Sequence, residues 1–402
     1  MVDSAQRVMS GMRPTGALHL GHYRGALKNW LKLQHEYDCT FVVVDWHALT
    51  THYEDPQDIE KNTYEMVIDW LAVGISPSQA NIAIQSKVPE IAELHLLLSM
   101  VTPLGWLERV PTYKEQKENL TERDLNTYGF LGYPLLQAAD ILVYNADLVP
   151  VGEDQVPHIE MAREIARRFN YVFGREPDFE AKAEAAVKKL GGKNAKVYRE
   201  MRRQYTEEGN DEALLKARAL LSENQNITKG DRERLLGYLA GIGRTILHEP
   251  GVLLTDTPKV IGLDGRKMSK SYGNAIALRE DPESVEKKMR TMPTDPARVR
   301  RTDPGDPEKC PVWEFHKVYS DEDTRNWVKE GCTSAGIGCI DCKMRVIDKV
   351  NEELEPIRQR AAEFEQDRDL LRSIVTEGSE SARDMARETL EEVRNAIGIS
   401  YR

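Results

Sequence analysis

The chain has 402 residues, 40% of them hydrophobic and 30% charged, and a net charge of −11. That length allows two or three domains around a sizeable core, and the composition excludes a disordered or fibrous chain. The acidic balance excludes nucleic-acid binding through a whole-molecule positive field, so such a partner needs local basic surface. No run of membrane length and no secretory leader is present, which predicts a cytoplasmic protein with no membrane partner.

Taken in order, the first distinctive stretch is Thr15-Gly-Ala-Leu-His-Leu-Gly-His-Tyr-Arg-Gly25. Its core, His19-Leu20-Gly21-His22, is followed by Leu27, Trp30, Leu31 and Leu33 at helical spacing, so both histidines fall in the first turn of a helix. The N–H groups and dipole at that end favour an anion, Gly16 and Gly21 permit close backbone approach, and imidazoles there can donate to phosphate oxygens. Two ordinary surface histidines in a turn would look the same on this stretch alone.

Residues 41–46, Phe-Val-Val-Val-Asp-Trp, read as a strand buried on both faces, with Cys39 beside it as inert packing. Asn81-Ile-Ala-Ile-Gln85 is a second strand. Between them, Ile59 to Val73 has helical spacing and stops at Gly74. This alternation predicts a parallel α/β sheet that binds ligands at the carboxyl ends of its strands.

Next comes Leu131-Gly-Tyr-Pro-Leu-Leu-Gln-Ala-Ala-Asp-Ile-Leu-Val-Tyr144. Tyr133, Gln137 and Asp140 recur at i, i+4 and i+7, one helix face. A carboxylate in so apolar a segment needs a donor, from a ligand or from within the fold. Val149-Pro-Val-Gly-Glu-Asp-Gln155, then His158, reads as strand end, turn and helix start. Residues 173–250 are highly charged, with helical periods such as Ala181–Leu190 and Glu212–Leu221. They read as a helical module, either a solvated appendage or a contact surface for a partner or a second copy of the chain.

Asp264-Gly265 marks a turn before Lys267-Met268-Ser269-Lys270-Ser271, where two lysines three apart on a mobile loop can neutralise a leaving pyrophosphate. Glu283 to Arg301 is basic through Lys287, Lys288, Arg290, Arg298, Arg300 and Arg301, and is broken by prolines, as at a domain junction. Helices follow at about 343–375 and 380–397, with core-facing stripes such as Val346, Val350, Leu354 and Ile357. Four cysteines are spaced Cys310-x21-Cys332-x6-Cys339-x2-Cys342. In a cytosolic chain this suggests metal before disulfides: tetrahedral zinc, a [4Fe–4S] cluster, or free thiols.

His-Leu-Gly-His followed about 245 residues later by Lys-Met-Ser-Lys-Ser resembles the paired signatures of class I aminoacyl-tRNA synthetases. Ser10-Gly-Met-Arg-Pro-Thr-Gly16, the Tyr133/Asp140 helix and Val151-Gly-Glu-Asp-Gln155 narrow the likeness. Over 8–172 and 251–402 the chain resembles tryptophanyl-tRNA synthetases of the bacterial type. The resemblance implies a Rossmann-like parallel-sheet catalytic domain over 1–172, a helical insertion at 173–250, and a catalytic end with the lysine loop at 251–284. A helical anticodon-binding domain with the cysteines then occupies 285–402.

It further implies activation of L-tryptophan with ATP and Mg²⁺, transfer to tRNA-Trp, and a homodimer. His19, His22, Lys114, Lys267 and Lys270 become catalytic. Arg13, Pro14, Thr15, Gly21, His22, Gly152, Glu153, Asp154 and Val260 join Lys267, Met268, Ser269, Lys270 and Ser271 at ATP. Tyr133, Gln137, Asp140 and Gln155 bind tryptophan, with Asp140 accepting the indole N–H. Arg13 stands where many members carry Gln, and Gln137 where Met is common. The cysteine spacing resembles an iron–sulfur subset of the family, which implies a structural [4Fe–4S] group on Cys310, Cys332, Cys339 and Cys342, with Zn²⁺ as the alternative. The competing readings are the tyrosyl enzyme, a nucleotidyltransferase without tRNA, and a non-enzymatic iron–sulfur RNA-binding paralogue.

Overall fold

The computed structural model describes residues 6–110, 126–175, 178–241, 243–254 and 260–401. Lys114 lies outside the described residues, as does the side chain of Ser271. Five strands form one sheet: β1 Arg7–Met12, β2 Asp38–Val43, β3 Ala80–Ile84, β4 Leu148–Val151 and β5 Gly251–Leu254, in the order β3-β2-β1-β4-β5. β2 and β3 run parallel from Cys39 opposite Ala80 to Val43 opposite Ile84, and β1 pairs parallel with β4 at Val8 and Leu148. This is the doubly wound parallel sheet expected from the strand–helix–strand alternation.

β2 begins and ends earlier than the expected 41–46. Asp45 and Trp46 open the helix Asp45–His52, where the Asp45 carboxylate accepts the Trp46 N–H at 3.1 Å. An acidic residue suits the first turn of a helix better than a strand end, and it ends β2. β3 likewise stops at Ile84, and Gln85 enters a short 3₁₀ turn. The helix Ile59–Val73 does end at Gly74, whose φ of 113° is a left-handed cap.

The chain divides into two compact units. One comprises mainly Gly11–Ile84 and Leu254–Gly378. Its core stacks Trp30 on Phe41 at 4.3 Å and sets Trp70 edge-on to Trp30 at 5.1 Å. The helix Cys339–Gln366 packs along Ile59–Val73 and buries the stripe Val346, Val350, Leu354 and Ile357.

The last two helices are Cys339–Gln366 and Arg368–Ile397, so the break is at Asp367 and not near 376–379. Asp367 caps the second helix by accepting the Leu370 N–H at 2.9 Å. Gly378, within the expected break, lies inside that helix where the backbone of Ile82 passes close by. A Cβ at Gly378 would stand 2.3 Å from the Ile82 carbonyl oxygen.

The second unit comprises Gln6–Ser10, Gln85–Leu253 and Ser379–Arg402. It contains the helices Glu90–Ser99, Tyr133–Leu142 and Val156–Phe173. Four further helices, Phe179–Lys189, Gly192–Glu208, Asp211–Glu223 and Lys229–Ala240, occupy the charged stretch. They enclose a core of their own, with Val187, Leu190, Tyr198, Leu221, Leu235 and Leu239 at its centre. The Tyr198 hydroxyl, buried there, donates to the Leu235 carbonyl at 2.6 Å.

Candidate active site

In the first unit, Leu18 and Leu20 pair with the residues that follow the lysine loop. Leu20 N–H donates to the Ile276 carbonyl and Leu278 N–H to that of Leu18, each at 3.0 Å, with His19 opposite Ala277 in an antiparallel bridge. The two signature motifs, far apart in sequence, are thus joined by main-chain hydrogen bonds.

His19 is the N-cap of the helical turn Leu20–His22. Its Nδ1 accepts the Gly21 N–H at 3.2 Å, and His22 Nδ1 accepts the His19 N–H at 3.3 Å. The rings stack with centroids 3.8 Å apart. Since each Nδ1 is an acceptor from a backbone donor, the proton of each neutral ring belongs on Nε2. Burial, then the Lys270 charge, lowers the His19 pKa to about 4. Burial, then His19 and the two lysines, lowers that of His22 to about 3. Both rings are therefore neutral hydrogen-bond donors at neutral pH. A π-turn, Tyr23–Leu27, follows directly, a local irregularity frequent at functional sites.

Lys270 extends over the loop before His19. Its Nζ donates to the Thr15 carbonyl at 3.5 Å, and a Cβ on Gly16, which has φ 114°, would stand 2.9 Å from it. Although much of this side chain stays open to solvent, desolvation of the ammonium there lowers its pKa. Met268 is buried beside Gly21, whereas Lys267 is exposed. Pro14 is buried, and Arg13 and Thr15 are exposed on the same loop. Val260 is buried.

Three residues of this region escaped the sequence reading. Asn274, 3% exposed, accepts the Ser269 N–H at 2.8 Å and donates to Asp264 at 2.7 Å and to the Lys267 carbonyl at 3.2 Å, bracing the loop from below. Asp69, 1% exposed, accepts the Leu18 N–H at 3.0 Å and pairs with Arg279 at 2.7 Å. The Asp69–Arg279 pair therefore anchors the strand-like residues on both sides of the His19–Ala277 bridge. A signal existed: Asp69 sits in the apolar run Met66-Val-Ile-Asp-Trp-Leu71, the same anomaly that singled out Asp140.

In the second unit, Tyr133, Gln137 and Asp140 share the helix Tyr133–Leu142 as expected. Asp140 is 1% exposed and accepts from Gln85 Nε2 at 2.7 Å, with Gln85 itself fully buried. Gln85 is a further residue that the sequence reading missed. The Tyr133 ring lies 5.7 Å from Phe130 and 5.8 Å from His158. Gly152 ends β4, Glu153–Gln155 form a 3₁₀ turn, and Gln155 Nε2 donates to Asp154 at 3.1 Å. Glu153 and Asp154 are exposed.

Cys310, Cys332, Cys339 and Cys342 line one cavity in the first unit, together with Arg298 and Asp295. Cys310 precedes the helix Pro311–Tyr319, and Cys339 and Cys342 occupy the first turn of Cys339–Gln366. Burial pushes the Cys342 thiol up to about 12, and its sulfur lies 3.3 Å from Nε2 of buried His316. Among the described residues, no three ligating side chains close tightly enough to grip a single metal ion. Cys39 is buried in β2 with its thiol also pushed up to about 12, a packing position.

The sequence matches the family described as tRNA synthetases class I (W and Y) over residues 3–193 and 232–355, and the chain belongs to that family. Within it, the chain is similar to tryptophan–tRNA ligases of bacteria. The chain is 65% identical to the tryptophan–tRNA ligase of Ralstonia nicotianae, over 98% of this chain and 99% of that one. It is 43% identical to that of Thermotoga maritima, over 98% and 100%. The structure of tryptophanyl-tRNA synthetase from Campylobacter jejuni complexed with ADP and tryptophan superposes with a TM-score of 0.73 at 26% identity, covering 98% of this chain and 100% of that one.

Proposed function

We infer that the chain activates L-tryptophan with ATP and transfers the tryptophanyl group to tRNA-Trp. The observation that carries this reading is the main-chain junction of the His19–His22 turn with residues 276–278, which sets Lys270 over Gly16. The tryptophan carboxylate attacks the α-phosphorus in line. One P–O bond forms, the bond to pyrophosphate breaks, and tryptophanyl-adenylate results. No covalent enzyme intermediate is needed, so catalysis is positioning plus charge stabilisation. The ribose hydroxyl at the end of the tRNA then takes the acyl group and AMP leaves.

His19 and His22 donate Nε2–H to phosphate oxygens, and Lys267 and Lys270 meet the charge that moves onto pyrophosphate. Lys114 is assigned the same task on sequence alone. Arg13, Pro14, Thr15, Gly21, Gly152, Glu153, Asp154, Val260, Met268, Ser269 and Ser271 border ATP, whose phosphates carry Mg²⁺ as charge-neutralising ion. Tyr133, Gln137 and Gln155 hold the amino acid, and Asp140 accepts the indole N–H. The helices of 285–402 meet the anticodon, 173–250 is an accessory helical module, and the enzyme works as a cytoplasmic dimer. ATP–pyrophosphate exchange with each of the twenty amino acids tests the assignment. Exchange supported by tyrosine and not by tryptophan would overturn it.

The four cysteines hold a [4Fe–4S] group that shapes the anticodon-binding end. The donor set fits, since four thiols converge on one cavity. The Cys310-x21-Cys332-x6-Cys339-x2-Cys342 spacing, with a single Cys-x2-Cys pair where a zinc ribbon shows two, is what favours the cluster over zinc. When bound, the group supplies a rigid covalent cross-link between the two helix starts and takes no part in the reaction. Anaerobically purified protein should contain about four irons per chain, retained in Cys39→Ser and lost in Cys339→Ser. Zinc in place of iron would refute the cluster.

A further inference from the structure

The wall of the four-thiol cavity carries two buried cations, Arg298 and Lys343, against one buried carboxylate, Asp295, whose pKa is lowered first by the Asp306 N–H and also by the Arg298 charge. Arg298 is 9% exposed and lines the cavity, with Nη1 3.8 Å from the Cys332 sulfur. Its Nη2 donates to the carbonyls of Arg301, at 3.2 Å, and Ile337, at 2.5 Å, while its Nε is buried with no partner. Lys343 follows Cys342 in the chain and is 4% exposed. Its ammonium donates to the carbonyls of Arg290 at 2.7 Å and Met292 at 2.6 Å, and lies within electrostatic reach of Cys339, Cys310 and Cys342. No carboxylate lies within ion-pair distance of either cation among the described residues.

One acid does share the cavity. The Asp295 carboxylate lines it and is occupied by the N–H groups of Asp306, at 2.7 Å, and Ala297, at 3.0 Å. One buried carboxylate against two buried cations leaves a net positive wall. Burying a cation without an opposite charge costs several kcal/mol. A fold that buries two cations against one carboxylate around four thiols is suited to an anion at their centre. Four thiolates around either a [4Fe–4S] core or Zn²⁺ form such a group, with two net negative charges.

We propose that Arg298 and Lys343 are the built-in counter-cations of a doubly anionic tetrathiolate group, and that Arg298 directs its unpaired Nε–H toward that group. Both are positioning residues for the bound group and not its ligands. The proposal rests on the cysteines holding a metal group, as inferred above, and the test separates the two. For an iron–sulfur group, one-electron reduction adds a further negative charge, which the cations stabilise. Removing either cation must therefore lower the reduction potential.

The test uses the full chain, reconstituted anaerobically with iron and sulfide, in wild type, Arg298→Gln, Arg298→Lys and Lys343→Gln. Iron and sulfide content are measured first, then the midpoint potential by redox titration of the visible absorbance. Arg298→Gln and Lys343→Gln should each shift the reduced-to-oxidised ratio about tenfold, which is about 59 mV lower for one electron. Arg298→Lys, which keeps the charge, should stay near wild type. A purely structural role in capping carbonyls predicts instead that fully loaded variants share the wild-type potential, and that result would overturn the proposal. Should Arg298→Gln not fold, Lys343→Gln decides by the same measurement. Should the wild type take up zinc and no cluster, the iron–sulfur reading fails alone. The counter-cation proposal is then decided by zinc affinity, expected to fall about tenfold in Arg298→Gln and to recover in Arg298→Lys, with equal affinities overturning it.

Discussion

Replacing Asp140 by Ala isolates how the enzyme would distinguish tryptophan from other aromatic amino acids. Asp140 is 1% exposed and accepts from the Gln85 amide at 2.7 Å. A carboxylate that accepts an indole N–H in such a place makes a charge-assisted bond in an environment that excludes water. Breaking a buried charged pair costs about 3–5 kcal/mol. At about 1.4 kcal/mol per tenfold, tryptophan activation in Asp140→Ala should lose about 10² to about 4 × 10³ in kcat/KM. Phenylalanine offers no donor, so its already low activation should change by less than about threefold, the usual scatter for a contact that is not made. The substitution also removes the Gln85–Asp140 hydrogen bond, a bond to a charged group worth about 1.5–3 kcal/mol of stability. The assay is ATP–pyrophosphate exchange with both amino acids, alongside circular dichroism. Equal losses for tryptophan and phenylalanine in a folded variant would refute the assignment and leave Asp140 as a partner of Gln85 within the fold.

Three further outcomes follow from the same geometry. Lys270→Ala should slow single-turnover adenylate formation about 10²-fold while tryptophan binding by calorimetry stays intact, because the lysine meets charge that develops in the transition state. His19 and His22, held neutral down to about pH 4 and about pH 3, should give no inflection near 6.5 in the pH profile of adenylate formation. The unfolded chain binds at pH 6.5 the protons that the fold refuses, so these groups favour folding fully above 6.5. That contribution is lost as pH falls from 6.5 toward 4, visible as a lower urea midpoint at pH 5 than at pH 7.5. Gly378→Ala places a methyl 2.3 Å from the Ile82 carbonyl oxygen and should destabilise by about 1–3 kcal/mol in thermal unfolding.

What could be read from the sequence was set by period and by special residues. The parallel sheet, the helix closed at Gly74 and the helix face of Tyr133, Gln137 and Asp140 each left a local pattern. The boundaries that shifted did so through single side chains. Asp45 starts a helix where an apolar run continues, and Asp367 caps a helix inside the stretch 343–375 that reads as one continuous helix. Arg298 shows the limit most clearly. In sequence it belongs to a basic, proline-broken run, which reads as a domain junction. The fold instead inserts it beside Cys332, because Arg301 and Ile337 offer it carbonyls there. A charge pattern along the chain does not say which members of a run the tertiary structure will bury.

The same distinction explains why the two histidines are informative beyond their motif. Their presence at a helix start follows from Gly21 and the apolar spacing behind it, but their chemical state follows from what their Nδ1 atoms do. Each Nδ1 is consumed by a backbone N–H of the same turn, so the tautomer is set by the local cap before any ligand arrives. Burial and two nearby lysines then hold the rings neutral. A charged imidazolium would attract phosphate more strongly, but it would hold the ground state and the transition state alike. Neutral Nε2–H donors, fixed by the cap, cost no reorganisation when charge shifts within the triphosphate. Lys270, set over the loop that leads to His19, and Lys267 supply the charge, and Asp69 with Arg279 holds the two sides of the His19–Ala277 bridge together.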